Sequence, residues 1–278
     1  MLLPLLFAFQ LAGELPVAPL PIPGQDTPAA AEQQPRGELS LDEARFDECL
    51  KQARTDPATA IKTASAWAGE ATGEAAAYSQ QCLGHAYTSL LRWDAAERAF
   101  LTARESLGAE AGGAQHEWRA RLALQAGNAA LAGNRADAAL FDISLAERDL
   151  ANGDPAIGAM IETDRARALV AAGRESDAVA ALDKARALDP QSPNTWLLSA
   201  TLARRLGKLA EAQGYIETAA RLAPKYPEIG LEAGVIAMLA GNRAAAKASW
   251  ESVVALAPDD DAGTSAKAYL AQLDEVSP

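Results

Sequence analysis

Two cysteines and two histidines are the whole supply of thiolate and imidazole in this 278-residue chain. Cys82 and His85 stand three residues apart, so on a helix they share a face. Cys49 and His116 would complete the four-ligand tetrahedral set that zinc prefers. A lone Cys-x-x-His pair without a second paired motif is a weak form of that pattern. No metal site is therefore expected, and the rival readings are a thiol- or metal-handling site and two buried thiols. Catalytic signatures fail one by one. There is no Gly-x-Ser-x-Gly, no His-Glu-x-x-His and no phosphate-cradling glycine loop. Gly112-Gly113 reads as a turn. Asp259-Asp260-Asp261 reads as a solvated helix entry, because the glycine and closing glutamate of a calcium loop do not follow. The chain is read as no enzyme, with no cofactor.

Composition narrows the partners. The formal charge of -12 argues against nucleic acid, whose phosphates need a basic face. No apolar run reaches the ~18 residues that span a bilayer. Apolar residues make up 49% but aromatics only 5%. Alanine dominates, so backbones must approach closely, as in stacked helices rather than a β-sandwich. Two cysteines rule out a disulfide-dense small scaffold. A protein or peptide partner remains, and composition leaves the oligomeric state open.

Residues 1–13, MLLPLLFAFQLAG, have the apolar core of a signal segment but lack its basic start. Export is expected, to the periplasm in a bacterium; the alternative is an apolar tail on a cytoplasmic protein. Residues 14–40 carry Pro16, Pro19, Pro21, Pro23, Pro28 and Pro35 with an Ala/Gln tract, and read as an extended linker.

From Leu41 onward the pattern is helical, with short apolar-periodic segments broken by Gly, Asn or Asp-Pro. Gly173, Gly207 and Gly241 recur every 34 residues, as do Ala178, Ala212 and Ala246, and Pro190, Pro224 and Pro258. A 34-residue helix-turn-helix period resembles the tetratricopeptide repeat. Residues 77–110 resemble the family pattern through Gly84, Tyr87, Ala96, Phe100 and Ala103. Residues 159–192 carry Ala166, Ala178, Leu182, Ala185 and Pro190. Residues 193–226 carry Trp196, Ala200, Ala212, Ile216, Ala219 and Pro224. Residues 227–260 carry Gly234, Ala246, Trp250 and Pro258, with Val253 in place of a small residue. Two repeats are degenerate. In 119–152, Asp142 falls where a large apolar residue belongs, and a one-residue slip would bring Ile143 there. In 41–74, Ala60 is kept and Asp56-Pro57 starts the second helix. Spacers are expected at 111–118 and 153–158, and a capping helix at 264–274.

The resemblance implies an all-α, right-handed solenoid of about six hairpins over 41–275. It implies a concave groove lined by the first helix of each hairpin, and a non-catalytic interaction scaffold. The groove residues it implies are Arg45, Cys49, Tyr78, Cys82, His85, Arg167, Thr201 and Arg204, with Phe46 and Gln81 nearby. The alternative is a spacer or oligomerising module with an empty groove. A clamp for peptide C-terminal carboxylates is not expected, since Cys49, Cys82, Ala120 and Leu124 stand where its basic and amide side chains would sit. In the family, the ninth position of one repeat and the sixth of the next converge. Cys49 and Cys82 hold those two positions, which implies a disulfide in an exported chain and two partly buried thiols in a cytosolic one.

Overall fold

The computed structural model describes residues 39–108 and 113–275. The signal segment and nearly all of the proline-rich linker lie outside them. Among the described residues all regular structure is helical. Six antiparallel pairs follow one another: α1 (Leu41–Thr55) with α2 (Pro57–Ala68), α3 (Gly73–Ser89) with α4 (Trp93–Ser106), and α5 (Gly113–Ala132) with α6 (Ala136–Leu150). Then come α7 (Pro155–Ala171) with α8 (Glu175–Leu188), α9 (Pro193–Arg205) with α10 (Leu209–Leu222), and α11 (Pro227–Leu239) with α12 (Arg243–Leu256). A last helix, α13 (Asp261–Glu275), closes the stack, and the whole is a right-handed α-solenoid.

Local sequence explains where helices start and stop. Ser40 and Glu43 cap α1 reciprocally, each side chain accepting the other's backbone N–H at 3.2 and 2.8 Å. Proline occupies the first turn of α2, α7, α9 and α11, where its missing N–H would be unpaired in any case. The turns inside the later hairpins close on Gly173, Gly207 and Gly241 at φ of 72°, 75° and 80°. In each, the following N–H returns to the helix end, as Arg174 N does to Leu169 O at 2.8 Å.

Between the helices of a pair, a missing Cβ makes room for a large side chain. A Cβ on Gly84 would lie 2.4–2.7 Å from the Phe100 ring, and Gly234 stands in the same way under Trp250. Gly127 repeats the contact, with a Cβ there falling 2.9 Å from Ile143. The third repeat is therefore in the slipped register: buried Ile143, not Asp142, fills the large apolar position. Its sixth and ninth positions then become Gln125 and Asn128.

The expected spacers are largely helix. Residues 113–118 form the opening turns of α5, and 155–158 open α7, where Ile157 is fully buried. One apolar cluster joins Leu124 and Leu131 of α5, Ile143 of α6, and Ile157 and Ile161 of α7, so packing is continuous across the 153–158 junction. At the far end α13 lays Ala262, Ala266 and Leu273 on Trp250 and Val253, which would otherwise face water.

Candidate partner-binding groove

The first helices of the pairs, α1, α3, α5, α7, α9 and α11, stack side by side and line the concave face. Along its floor, ninth and sixth positions of successive repeats meet. Cys49 and Cys82, both buried, are joined by a disulfide with Cα atoms 6.1 Å apart. One step on, His85 Nε2 and Gln125 Nε2 lie 3.5 Å apart. At the next step Asn128 donates to Asp164 Oδ2 at 2.9 Å. Arg167 then donates to Asp164 and Asn128 at 3.2 and 3.3 Å, and Arg204 holds Glu232 with contacts of 2.6 and 3.3 Å.

Burial sets the electrostatics of this row. His85 packs edge-on against Phe100 at 5.2 Å. Burial, aided by the Arg54 charge, pushes its pKa down to about 4, so the imidazole is neutral near pH 7. Asp164 is pushed up by burial, against the pull of Arg167 and its hydrogen bonds. Both sulfurs are joined in the bond, so neither is a free thiolate while it is closed. Among the described residues no three His, Cys, Asp or Glu side chains gather as metal ligands.

An aromatic ladder runs beside the floor at its N-terminal end. Phe46 of α1 meets Tyr78 of α3 at 5.0 Å between ring centroids, and Tyr78 meets Trp118 of α5 at 4.6 Å. All three rings are partly buried. The Trp118 indole donates to Gln81 Oε1 at 3.0 Å, and Gln81 donates on to Gln125 at 3.2 Å. The rim is acidic: burial and then the charges of Glu43, Glu74 and Asp42 raise the Tyr78 pKa. At the opposite end the lining turns apolar, with Leu198, Leu231, Val235 and Met238 partly exposed.

The structure thus brings Cys49, Tyr78, Cys82 and His85 together around α3, and sets Arg167 in the central polar cluster. Arg204 stands apart on Glu232, and Thr201 is partly buried on α9. Arg45 instead lies over the Trp67 ring of α2, 4.6 Å from its centroid. Sequence reasoning missed Trp118, Gln125 and Asn128. Gly127, one residue past the expected small position, was the available signal. Away from the floor, Asp142 is buried beside Glu97. Burial, with the charge and hydrogen bond of Glu97, pushes its pKa up to about 7 despite Arg135 and Arg104.

A family model of the tetratricopeptide repeat matches residues 162–202, from α7 through α8 into α9. No curated protein matches the sequence. Among solved structures, PilW, described as a widely conserved type IV pilus biogenesis factor, aligns with a TM-score of 0.64 and 17% identity over 82% of this chain and 98% of its own. Pseudomonas aeruginosa PilF aligns at 0.58 and 14%, over 82% and 99%. TTC0263, a thermophilic TPR protein of Thermus thermophilus, aligns at 0.52 and 20%, over 70% and 97%. At these identities the likeness is one of fold. Among the described residues no helix is long and apolar enough to cross a membrane. The 34-residue register, the stacked hairpins and the repeat model matched at 162–202 together give the chain the fold of the tetratricopeptide-repeat proteins.

Proposed function

We propose that the chain is a non-catalytic scaffold that holds a protein segment along its concave groove, and that it works in an exported, oxidising compartment. The observation that carries this reading is the composition of the groove. Its polar floor is flanked by partly buried aromatic side chains at the N-terminal end and by partly exposed aliphatic ones at the other, a mixture suited to an extended peptide. The groove's His85 is neutral and buried, which supports a binding role over acid–base work. The Cys49–Cys82 bond supports an exported setting, since cytosolic thiols are kept reduced. PilW, a type IV pilus biogenesis factor, uses the same fold over nearly its whole length, which supports a role in assembly of this kind. The test is capture from native extract on immobilised full chain, beside the Arg167→Glu, Arg204→Glu variant. A partner retained by the wild type and lost from the variant is expected. No partner retained by either chain would favour a spacer whose groove carries no ligand, and equal retention would put the contact away from Arg167 and Arg204.

A further inference from the structure

We propose that the cleft between α10 and α12 is a second docking site, away from the concave groove, which takes one uncharged aromatic side chain, tryptophan best, from a partner protein. Gly230 and Ala233 of α11 line this cleft, whereas Leu231 and Val235 of the same helix stand among the groove residues.

The 34-residue register lets the cleft be compared with its own neighbours. At the step from α6 to α8 the corresponding space is filled by ions. Lys184 reaches Glu162 at 2.6 Å and Glu147 at 3.5 Å, and Arg165 reaches the same two carboxylates at 3.4 and 2.6 Å. At the step from α8 to α10 it is filled by rings around a cation. Trp196 and Tyr215 lie 5.9 Å apart, and the Arg186 guanidinium stands 5.3 and 4.4 Å from their centroids. Arg186 also donates to Ser199 Oγ and Tyr215 Oη. About 20 Å³ stays open beside Arg186 and Tyr215. One repeat later Arg186, Trp196, Ser199 and Tyr215 become Ala220, Gly230, Ala233 and Ser249. The helices keep their frame while the side chains shrink, and a cavity of about 360 Å³ opens.

Size and charge choose the occupant. An engineered void of about 150 Å³ takes up benzene, so this one has room for an indole. Among the described residues no charged side chain lines it, and its polar side chains are Ser249, Ser252 and Tyr226. An ionic anchor would shed its hydration there without gaining a counter-charge, so arginine, lysine and carboxylate side chains fit poorly. A ring can pack on Tyr226 and on Pro224. Pro224 holds the place of Pro190, whose carbonyl accepts the Trp196 indole N–H at 2.9 Å. Gly230 cannot grow the missing ring, because a Cβ there would lie 2.6 Å from Val253, which replaces Ala219 of the preceding repeat. Ser252 and Leu256 at the mouth are exposed, so a side chain from another protein can enter, as aromatic anchors of interfaces do.

The test uses the full chain and N-acetyl-tryptophanamide, a tryptophan side chain between two amides, read from the backbone N–H resonances of Gly230 and Ser252. Saturable shifts are expected, with affinity about 10-fold tighter than for N-acetyl-leucinamide. Free tryptophan should bind more weakly, since its ammonium and carboxylate would meet uncharged walls. Ala220→Arg with Ser249→Tyr restores the filling of the preceding step and should abolish the shifts. Ser252→Trp, at an exposed position, should weaken them without disturbing the fold. No saturable shift in the wild type, or undiminished affinity in both variants, would overturn the site. Equal affinity for the leucine compound would overturn an aromatic occupant, and tighter binding of free tryptophan would overturn a protein source. Self-association abolished both by Phe141→Ser, the exposed ring of α6, and by the filled variant would assign the cavity to a second copy and overturn an outside partner. Partner capture through Arg167 and Arg204 is untouched by each of these results, so the two readings fail separately.

Discussion

The two halves of the array reach the same backbone by different means. From α7 to α12 the hairpins repeat almost literally, with glycine at every inner turn. From α3 to α6 the same turn position holds Leu91 and Asn134, at φ of 56° and 59°. The closing hydrogen bond is nonetheless the same: Arg92 N to Tyr87 O and Arg135 N to Ala130 O, both 2.9 Å, match Lys208 N to Ala203 O at 2.9 Å. What the first half lacks in local preference it replaces with specific long-range bonds. Cys49–Cys82 ties α1 to α3. Asp149 of α6 receives both Arg104 of α4, at 2.5 and 2.9 Å, and buried Arg119 of α5, at 3.2 and 3.3 Å. Repeat geometry therefore does not require repeat sequence when neighbouring hairpins are fastened individually.

Reduction should break this comparison most strongly. Opening the disulfide, or making Cys49→Ala with Cys82→Ala, should cost about 3–4 kcal/mol in the chain-entropy account of a loop of this size. Hydrogen exchange should record the loss in α1–α4 and spare α9–α12, because stability in such arrays is carried between neighbours. Equal loss in both halves would mean that the array unfolds as one unit. Mass spectrometry of protein from its native compartment should find no alkylatable thiol.

Acid titration sharpens the contrast, because two buried groups of the first half oppose each other. His85 is depressed to about 4, so its contribution is full above the unfolded value of 6.5 and is lost as pH falls through about 4. Asp142 is raised to about 7, so its contribution is full below the unfolded value of 3.8 and is lost as pH rises through about 7. Between these limits the two slopes oppose each other in the wild type. Asp142→Asn should expose the His85 slope, about 3 kcal/mol in all, and should stabilise the chain at pH 8 by about 1–2 kcal/mol. His85→Gln should expose the opposite slope. Flat melting curves in both variants would count against these assignments.

Packing within a hairpin should be equally strict in both halves. Gly84→Ala and Gly234→Ala each force a methyl into an aromatic ring and should cost about 1–3 kcal/mol by thermal melting. A much smaller cost at Gly84 would show that the first half repacks more freely. The smallest effect has the opposite sign. Leu91 is largely exposed and holds a left-handed conformation, so Leu91→Gly should stabilise by about 1 kcal/mol. Asn134→Gly should gain less, since asparagine tolerates that conformation.

These differences also explain what could be read in advance. The later repeats were legible because Gly173, Gly207 and Gly241 hold positions that other residues occupy at a cost, and because the prolines after them keep step. The third repeat was obscured by adjacency: Asp142 and Ile143 offer two registers, and only the packing of Gly127 on Ile143 decides between them. The ladder was half visible. Phe46 and Tyr78 fell on groove positions, but Trp118 sits in a stretch that reads as a spacer until α5 extends through it. The burial of His85 and Asp142 depends on neighbours forty or more residues away in one case and on α4 in the other, which no local pattern carries.

The inner-face ties also grade the stiffness of the solenoid. A curved rod opens by stretching its concave side, and the first two repeats resist that motion through a covalent bond between Cys49 and Cys82. The next two steps resist it through His85 with Gln125 and Asn128 with Asp164, contacts that can break and re-form. From α7 to α9 the corresponding residues are Arg167 and Leu198, which make no such tie, and the buried Thr163 and Thr195 hydroxyls, 3.1 Å apart, join the two helices instead. A load applied along the array would thus meet its greatest resistance at the covalent step, leaving the N-terminal arc as a rigid jaw against which the later repeats swing.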